Sequence, residues 1–242
     1  MRAALVLLAL GACSYPEKEL TDGGGPPFGC LNAPTPTQAK NPSVMSGMVV
    51  DAMPGTPLAN AAVAGQFVGS TGSIFTAHTD QMGRFSQSQN TGGVPLDLFF
   101  AISANGYITT YYYPPYLLTR DVDYSVLGPT QVFTPDARNN LMMAAGLTFD
   151  TTKGQMIVTV NDCNGTPVPG ATISTSPAGT IRYFAGVRPS TTATATDQLA
   201  VVLVANLPPG NVSLSATVNS MNLKSHNVQI VADAIVQTQI QP

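Results

Sequence analysis

Gly55-Thr56-Pro57-Leu58-Ala59-Asn60-Ala61-Ala62-Val63 returns further along the chain as Gly165-Thr166-Pro167-Val168-Pro169-Gly170-Ala171-Thr172-Ile173. Each stretch follows an apolar run, Met48-Val49-Val50-Asp51 in the first case and Ile157-Val158-Thr159-Val160 in the second. Two further landmarks recur in the same order. Thr79-Asp80-Gln81-Met82 pairs with Thr196-Asp197-Gln198-Leu199, and Ala104-Asn105-Gly106-Tyr107 pairs with Val218-Asn219-Ser220-Met221. Three landmarks with similar spacing mark a duplicated structural unit.

Each landmark has a local cause. Gly tolerates positive φ and Pro fixes its own φ while ending ladder bonding, so Gly-Thr-Pro makes a turn. Thr79-Asp80 followed by Gly83 reads as a hairpin turn. Ala200 stands where the second copy would carry that glycine, so its turn is expected to differ in detail. Leu207-Pro208-Pro209-Gly210 is another turn. It opens the alternating run Val212 to Val218, in which Val212, Leu214, Ala216 and Val218 share one face. Val236, Thr238 and Ile240 repeat the period of two. About seven short strands in the second copy point to a sandwich.

Taken together, these motifs resemble the carboxypeptidase regulatory-like domain, a seven-stranded sandwich similar to transthyretin. The first copy matches at Gly55 to Val63 and Thr79 to Phe85; the second matches at Gly165 to Ile173, Thr196-Asp197 and Leu207 to Gly210. The resemblance implies an all-β fold of two tandem seven-stranded sandwiches of transthyretin-like type. It also implies accessory modules without catalytic residues, since the zinc peptidase that such modules accompany is missing. The expected organisation is a signal over residues 1–12, a flexible tether over 13–42 and a first sandwich over 43–118. A connector over 119–151 and a second sandwich over 152–242 follow.

The chain opens Met1-Arg2-Ala3-Ala4-Leu5-Val6-Leu7-Leu8-Ala9-Leu10-Gly11-Ala12-Cys13. A charge, an apolar run and small residues before a cysteine make a secretory signal. The run is about ten residues long, against roughly 20 for a spanning helix. Leu10-Gly11-Ala12-Cys13 resembles the lipobox of bacterial lipoproteins. That implies palmitate-type acyl chains on Cys13 and on the new N-terminus; several chains together anchor stably where one does not. Ser14, in place of an Asp there, points to the outer membrane. Asp22-Gly23-Gly24-Gly25-Pro26-Pro27 sits in a Pro- and Gly-rich stretch that reads as a tether. With Cys13 lipidated, Cys30 and Cys163 remain. In an oxidising compartment the pair suggests a disulfide; the alternative is two unpaired thiols.

Only 10% of residues are charged and the formal net charge is -3. No basic cluster supports nucleic-acid binding. Between the copies, Thr134 to Gly146 reads as a short helix, with Thr134 as its cap, Pro135 and Asp136 in its first turn, and Gly146 ending it. Leu141, Met142 and Ala145 form its apolar face, which is expected to cover an edge or end of a sandwich. A Met-rich partner surface is the other reading.

His78 and His226 have no metal-ligand partner at a recognisable spacing. Asp121-Val122-Asp123 lacks the further oxygen ligands of a calcium loop. No catalytic, cofactor or metal residue emerges, and the expected role is a non-catalytic, lipid-anchored envelope binding or scaffold module. A hydrolase with an unrecognised site and a passive spacer are the alternatives. The expected partners are the membrane, through the lipid, and an envelope protein or polysaccharide. The first candidate ligand surface is the tyrosine-rich stretch with Tyr107, Tyr111, Tyr113 and Tyr116. In a strand Tyr107, Tyr111 and Tyr113 share a face, and exposed rings there would stack on sugars or Pro-rich peptides. The competing expectation is that these rings pack between the first sandwich and the connector.

Overall fold

A computed structural model of the chain describes residues 26–242. The signal, Cys13 and the tether up to residue 25 lie outside the described residues. The first copy and connector contribute β1 Ser43–Asp51, β2 Ala62–Phe67, β3 Ser73–His78, β4 Arg84–Gln89, β5 Leu98–Ser103, β6 Thr110–Tyr113, β7 Val122–Asp123 and β8 Thr130–Val132. A 3-10 turn spans Tyr124–Leu127, and the helix α1 spans Pro135–Ala144. The second copy adds β9 Gly154–Val160, β10 Thr172–Ser176, β11 Thr180–Ala185, β12 Arg188–Pro189, β13 Val201–Leu207, β14 Gly210–Val218, β15 Met221–Asn222, β16 His226–Ile230 and β17 Ile235–Ile240. The fold is an all-β sandwich architecture with one short α-helix.

The duplication is visible as hydrogen bonds. The Thr79 hydroxyl donates to the Leu58 carbonyl at 2.6 Å and accepts from the Ala61 N–H at 2.9 Å. Thr196 donates to the Val168 carbonyl at 2.7 Å and accepts from the Ala171 N–H at 2.8 Å. Each threonine therefore pins the Gly-Thr-Pro turn to the Thr-Asp turn. The Asp beside it accepts N–H bonds from its own turn, Asp80 from Met82 and Arg84, and Asp197 from Leu199.

The turn at Ala200 differs in detail, as expected: Asp80 accepts from the Arg84 N–H and donates its own N–H to the Arg84 carbonyl, whereas Asp197 accepts from the Gly186 N–H instead. The left-handed position itself is kept. Ala200 takes φ 52° where Gly83 takes φ 70°. The Val160 N–H donates to the Ala200 carbonyl at 3.0 Å, as the Val49 N–H does to the Gly83 carbonyl at 2.8 Å. Alanine tolerates one left-handed position at a cost of about 1–2 kcal/mol, and the surrounding turn bonds hold it there.

Strand pairing also repeats, with one exception. β1 pairs antiparallel with β4 and parallel with β7 and β8; β9 pairs antiparallel with β13 and parallel with β17. β2–β5–β6 is matched by β10–β14–β16. The third strand departs from the pattern: β3 pairs with β2, whereas β11 pairs with β13 in the opposite sheet. Pro177 follows β10 directly, and a proline cannot donate to a ladder. Gly179 then lies so close to Val204 and Leu207 that a Cβ would meet their side chains within 3 Å. That close approach carries the chain across to β13.

The two copies are not separate sandwiches. β17 lies between β9 and β6, parallel to both, and joins the copies in one nine-stranded sheet of order β12-β11-β13-β9-β17-β6-β5-β2-β3. Side chains alternate across this sheet. Phe100, Ile102 and Tyr112 enter the core of the first copy, packed with Met45, Val63 and Phe85. Phe99 and Tyr113 enter the core of the second, packed with Met156, Val212, Val228 and Val236.

The helix forms as its end signals indicate. The Thr134 hydroxyl accepts from the Ala137 N–H at 3.2 Å, and Gly146 follows the last turn at φ 66°. Met142 and Ala145 pack on Phe184, Leu203 and Ala205, so the helix covers the outer face of β11 and β13. Arg138 is buried beside it, over the Phe149 ring and paired with Asp233.

Thr79→Val and Thr196→Val each leave a buried N–H without a partner. Each should lower the unfolding free energy by about 1–3 kcal/mol, read from urea melts. A large loss at one site and none at the other would show that the two clamps are not equivalent.

Candidate functional site

Residues 26–42 do not form a free tether. Cys30 is bonded to Cys163, with a Cα separation of 5.8 Å across 133 residues of chain. The Cys163 N–H donates to the Pro27 carbonyl at 2.8 Å, and Phe28 and Leu31 pack on the second core. At the far end the Ala39 N–H donates to Gly93 and the Lys40 N–H to Thr119. The segment is therefore a strap, tied to the second copy by the disulfide and to the first by backbone bonds. Pro- and Gly-rich composition predicts a tether here; two apolar side chains and the cysteine dock the segment instead.

Under the strap lies a cleft of about 400 Å³ between the copies. Thr35 and Pro36 of the strap form its rim. One wall is the segment after β6, with Tyr116, Leu117 and Arg120; the other carries Lys224, Ser225 and His226, and the end of β17 forms its floor. Asp and Glu are absent from this lining. Arg120 and Lys224 are exposed, and the ion pairs among the described residues, Lys40 with Asp121 and Arg138 with Asp233, include neither of them.

His226 is half-buried, its Nε2 enclosed without a hydrogen-bond partner, and its ring meets Tyr113 edge-on at 6.3 Å. Burial lowers its pKa to about 4, and the charge of Lys224 adds to the effect. The imidazole is thus neutral near pH 7. The Tyr116 hydroxyl is also enclosed without a partner. Burial raises its pKa to about 12, with Arg120 opposing and Asp123 reinforcing that shift. A neutral histidine, a neutral phenol and two free cations can hold an anion by charge and hydrogen bonding. They do not form a nucleophile–base pair, because His226 Nε2 touches no hydroxyl.

The tyrosine stretch is not an exposed ligand surface. Tyr113 is 1% exposed and stacks on Phe99 at 4.8 Å between ring centroids. Its hydroxyl accepts from the Gln229 N–H at 3.2 Å. Tyr111 is half-buried against the same core. Tyr107 lies outside β6, packs on the first core and donates to Asp51 at 2.7 Å. It therefore does not share a face with Tyr111 and Tyr113. Tyr116 packs beside Tyr124, with centroids 6.2 Å apart, and only this member of the four lines the cleft. The physical reason is β17. By pairing with β6 it brings the second core, with Val212, Leu214 and Val228, onto one face of that strand, while the first core covers the other.

Asp121 binds Lys40 at 2.5 Å and accepts from the Val44 N–H, and Asp123 caps the 3-10 turn. Among the described residues no cluster of three or more His, Cys, Asp or Glu side chains is placed to hold a metal. No helix among them is long and apolar enough to cross a membrane. His78 is exposed on the edge strand β3. Arg120 and Lys224 escape a reading of the sequence because each stands alone in its own stretch, without a motif around it.

No family model matches the chain, and no curated protein matches it. Solved structures with partial likeness include the TIE protein of Bacillus anthracis, at 14% identity and TM-score 0.29. The match covers 83% of this chain but 33% of that one. A minor pilin of Streptococcus agalactiae gives 13% identity and TM-score 0.25, with 82% and 95% of the two chains covered. A 3-chlorocatechol 1,2-dioxygenase of Rhodococcus opacus gives 21% identity and TM-score 0.22 over 38% and 52%. At these scores the likenesses carry no argument about what this chain does.

Two outcomes follow. Tyr113→Ala should cost about 3–5 kcal/mol, as aromatic truncation in a core does, whereas Tyr107→Phe should cost about 1 kcal/mol, one hydrogen bond; thermal melts separate them. His226 has a folded pKa below its unfolded value. The unfolded state therefore takes up a proton first as pH falls, and stability should drop between pH 6.5 and about 4 and level off below. His226→Gln should flatten that slope; an unchanged slope would assign it to other groups.

Proposed function

We propose that the protein is an exported, lipid-anchored, non-catalytic binding module of the cell envelope, and that its recognition site is the strapped cleft between the two copies. Lipid on Cys13 holds the chain to the membrane, with the outer membrane as the destination that Ser14 favours. The two copies resemble carboxypeptidase regulatory-like domains in motif, and they serve as a rigid frame. The partner is an envelope protein or polysaccharide.

One observation carries the reading: the Cys30–Cys163 bond ties the strap across a cleft that holds unpaired cations. A disulfide belongs to an oxidising compartment, in agreement with the signal at residues 1–12. A frame with two cores fixes the cleft walls, and the loops that line them are where binding residues concentrate. The neutral, unpartnered His226 and the lack of an Asp or Glu side chain in the lining favour binding over acid–base chemistry.

Cys13→Ala should move the protein from the membrane fraction to the soluble envelope fraction. Continued sedimentation with membranes in high salt would remove the anchor from the reading. Cys163→Ser should release the strap. The chain-entropy model gives about 4–5 kcal/mol for a loop of this length, and limited proteolysis within residues 31–41 should become fast. Unchanged resistance to protease would show that backbone bonds alone hold the strap.

A further inference from the structure

We propose that the strapped cleft binds a compact anionic group, a carboxylate or a phosphate, clamped between Arg120 of the first wall and Lys224 of the second. This rests on the reading of the cleft as the recognition site and names the ligand chemistry for it.

The chain carries 13 acidic and 10 basic residues, so a pocket drawn at random from its surface would contain acids as readily as bases. This lining holds Arg120, Lys224 and His226 with no Asp or Glu side chain; the carboxyl end of Pro242 is its acidic neighbour. Two like charges in one cleft repel, and the apolar Leu117, Val122 and Ile240 line it beside them. An anion between the walls turns that repulsion into two charge-assisted hydrogen bonds.

The neutral groups fit the same ligand. Ser225 and Thr119 place hydroxyl groups in the lining, and the enclosed Tyr116 hydroxyl and His226 Nε2 lack protein partners. A cleft of about 400 Å³ falls in the usual range for small-molecule sites, roughly 300–1,000 Å³. Its occupant is a small acid, or the charged end of a larger envelope component.

His226 supplies the readout. The charged or titratable side chains that share its surroundings are Lys224, Arg120, Tyr116 and Tyr113, with the carboxyl end of Pro242 in the same lining. The side chains are cationic or neutral near pH 7, and Lys224 adds to the effect of burial in disfavouring the imidazolium. An anion bound among them favours the protonated ring, so binding raises the pKa of His226 and is itself strengthened as pH falls. His78 stands exposed on β3 outside the cleft and serves as an internal control.

The test is a histidine-resolved NMR titration of the mature protein with sodium phosphate and with sodium malonate, matched to sodium chloride at equal ionic strength. Saturable movement of the His226 pKa towards the ordinary histidine range, with His78 unmoved, is expected for one or both probes. The stronger response tells phosphate from carboxylate. Arg120→Gln with Lys224→Gln, both exposed positions, should weaken that response at least tenfold while the thermal melt stays put. The proposal is overturned if chloride gives the same response, if His226 does not respond to either probe, or if the double variant responds as the wild type does. Membrane fractionation of Cys13→Ala is independent of all these outcomes, so a failure here leaves the anchored-module reading standing.

Discussion

β17 is flanked on both sides. Ile235 to Thr238 pair with Thr110 to Tyr113, and Ile235 to Ile240 pair with Gln155 to Val160. These backbone bonds turn two sandwich units into one sheet, and most of what is distinctive in the molecule follows from them. A strand buried on both faces normally reads as a continuous apolar run, yet this one is Ile-Val-Gln-Thr-Gln-Ile. The polar side chains are answered one by one. Gln237 accepts from the Gln131 N–H, and Thr238 donates to the Tyr113 carbonyl. Gln239 accepts from Asn161 and donates to Leu127. Each buried polar group has a partner in a particular segment, so the strand is specified by its hydrogen bonds as well as by area.

The same constraint explains the aromatic residues. Once β17 has brought the second core against β6, Phe99, Tyr111 and Tyr113 face that core instead of solvent. They fill the second core, while Phe100 and Tyr112 fill the first. The sheet is thus a common wall with a core on each face. A shift of one residue in the β17–β6 register would move Tyr112 into the place of Tyr113 and expose both cores to mismatch. The aromatic content of this region serves to hold register between the copies.

The sequence made the local parts legible. The Gly-Thr-Pro turns, the Thr-Asp turns, the alternation in Val212 to Val218 and the capped helix all depend on residues close together in the chain. Ala200 is instructive, because it takes the left-handed position of Gly83 in a turn that the Thr196 clamp holds. The sheet that joins the copies was not legible. Parallel pairing of β17 with β6 and β9 joins segments far apart in sequence, and its period-two pattern marks one buried face while both are buried. Of the cleft, Cys30, Cys163 and His226 stood out as residue types, but nothing in the sequence placed them together. Arg120 and Lys224 carried no signal at all, since an isolated cation in a loop looks like any solvated charge.

The strap links these levels. Without it, the two cleft walls would still be set by the shared sheet, because Tyr116 follows β6 and the floor belongs to β17, its neighbour in that sheet. The rim would be missing, since Thr35 and Pro36 belong to the strap alone. The disulfide therefore does not build the cleft; it closes it. A segment of such Pro- and Gly-rich composition gains little from burial and loses much entropy on docking. A covalent tie at Cys30 lowers that entropic cost by confining the segment in the unfolded chain as well. The backbone bonds at Ala39 and Lys40 then need to order only the short stretch between two fixed points. That is why a sequence with the composition of a tether can lie in one place across the junction, where a wall of the cleft is required.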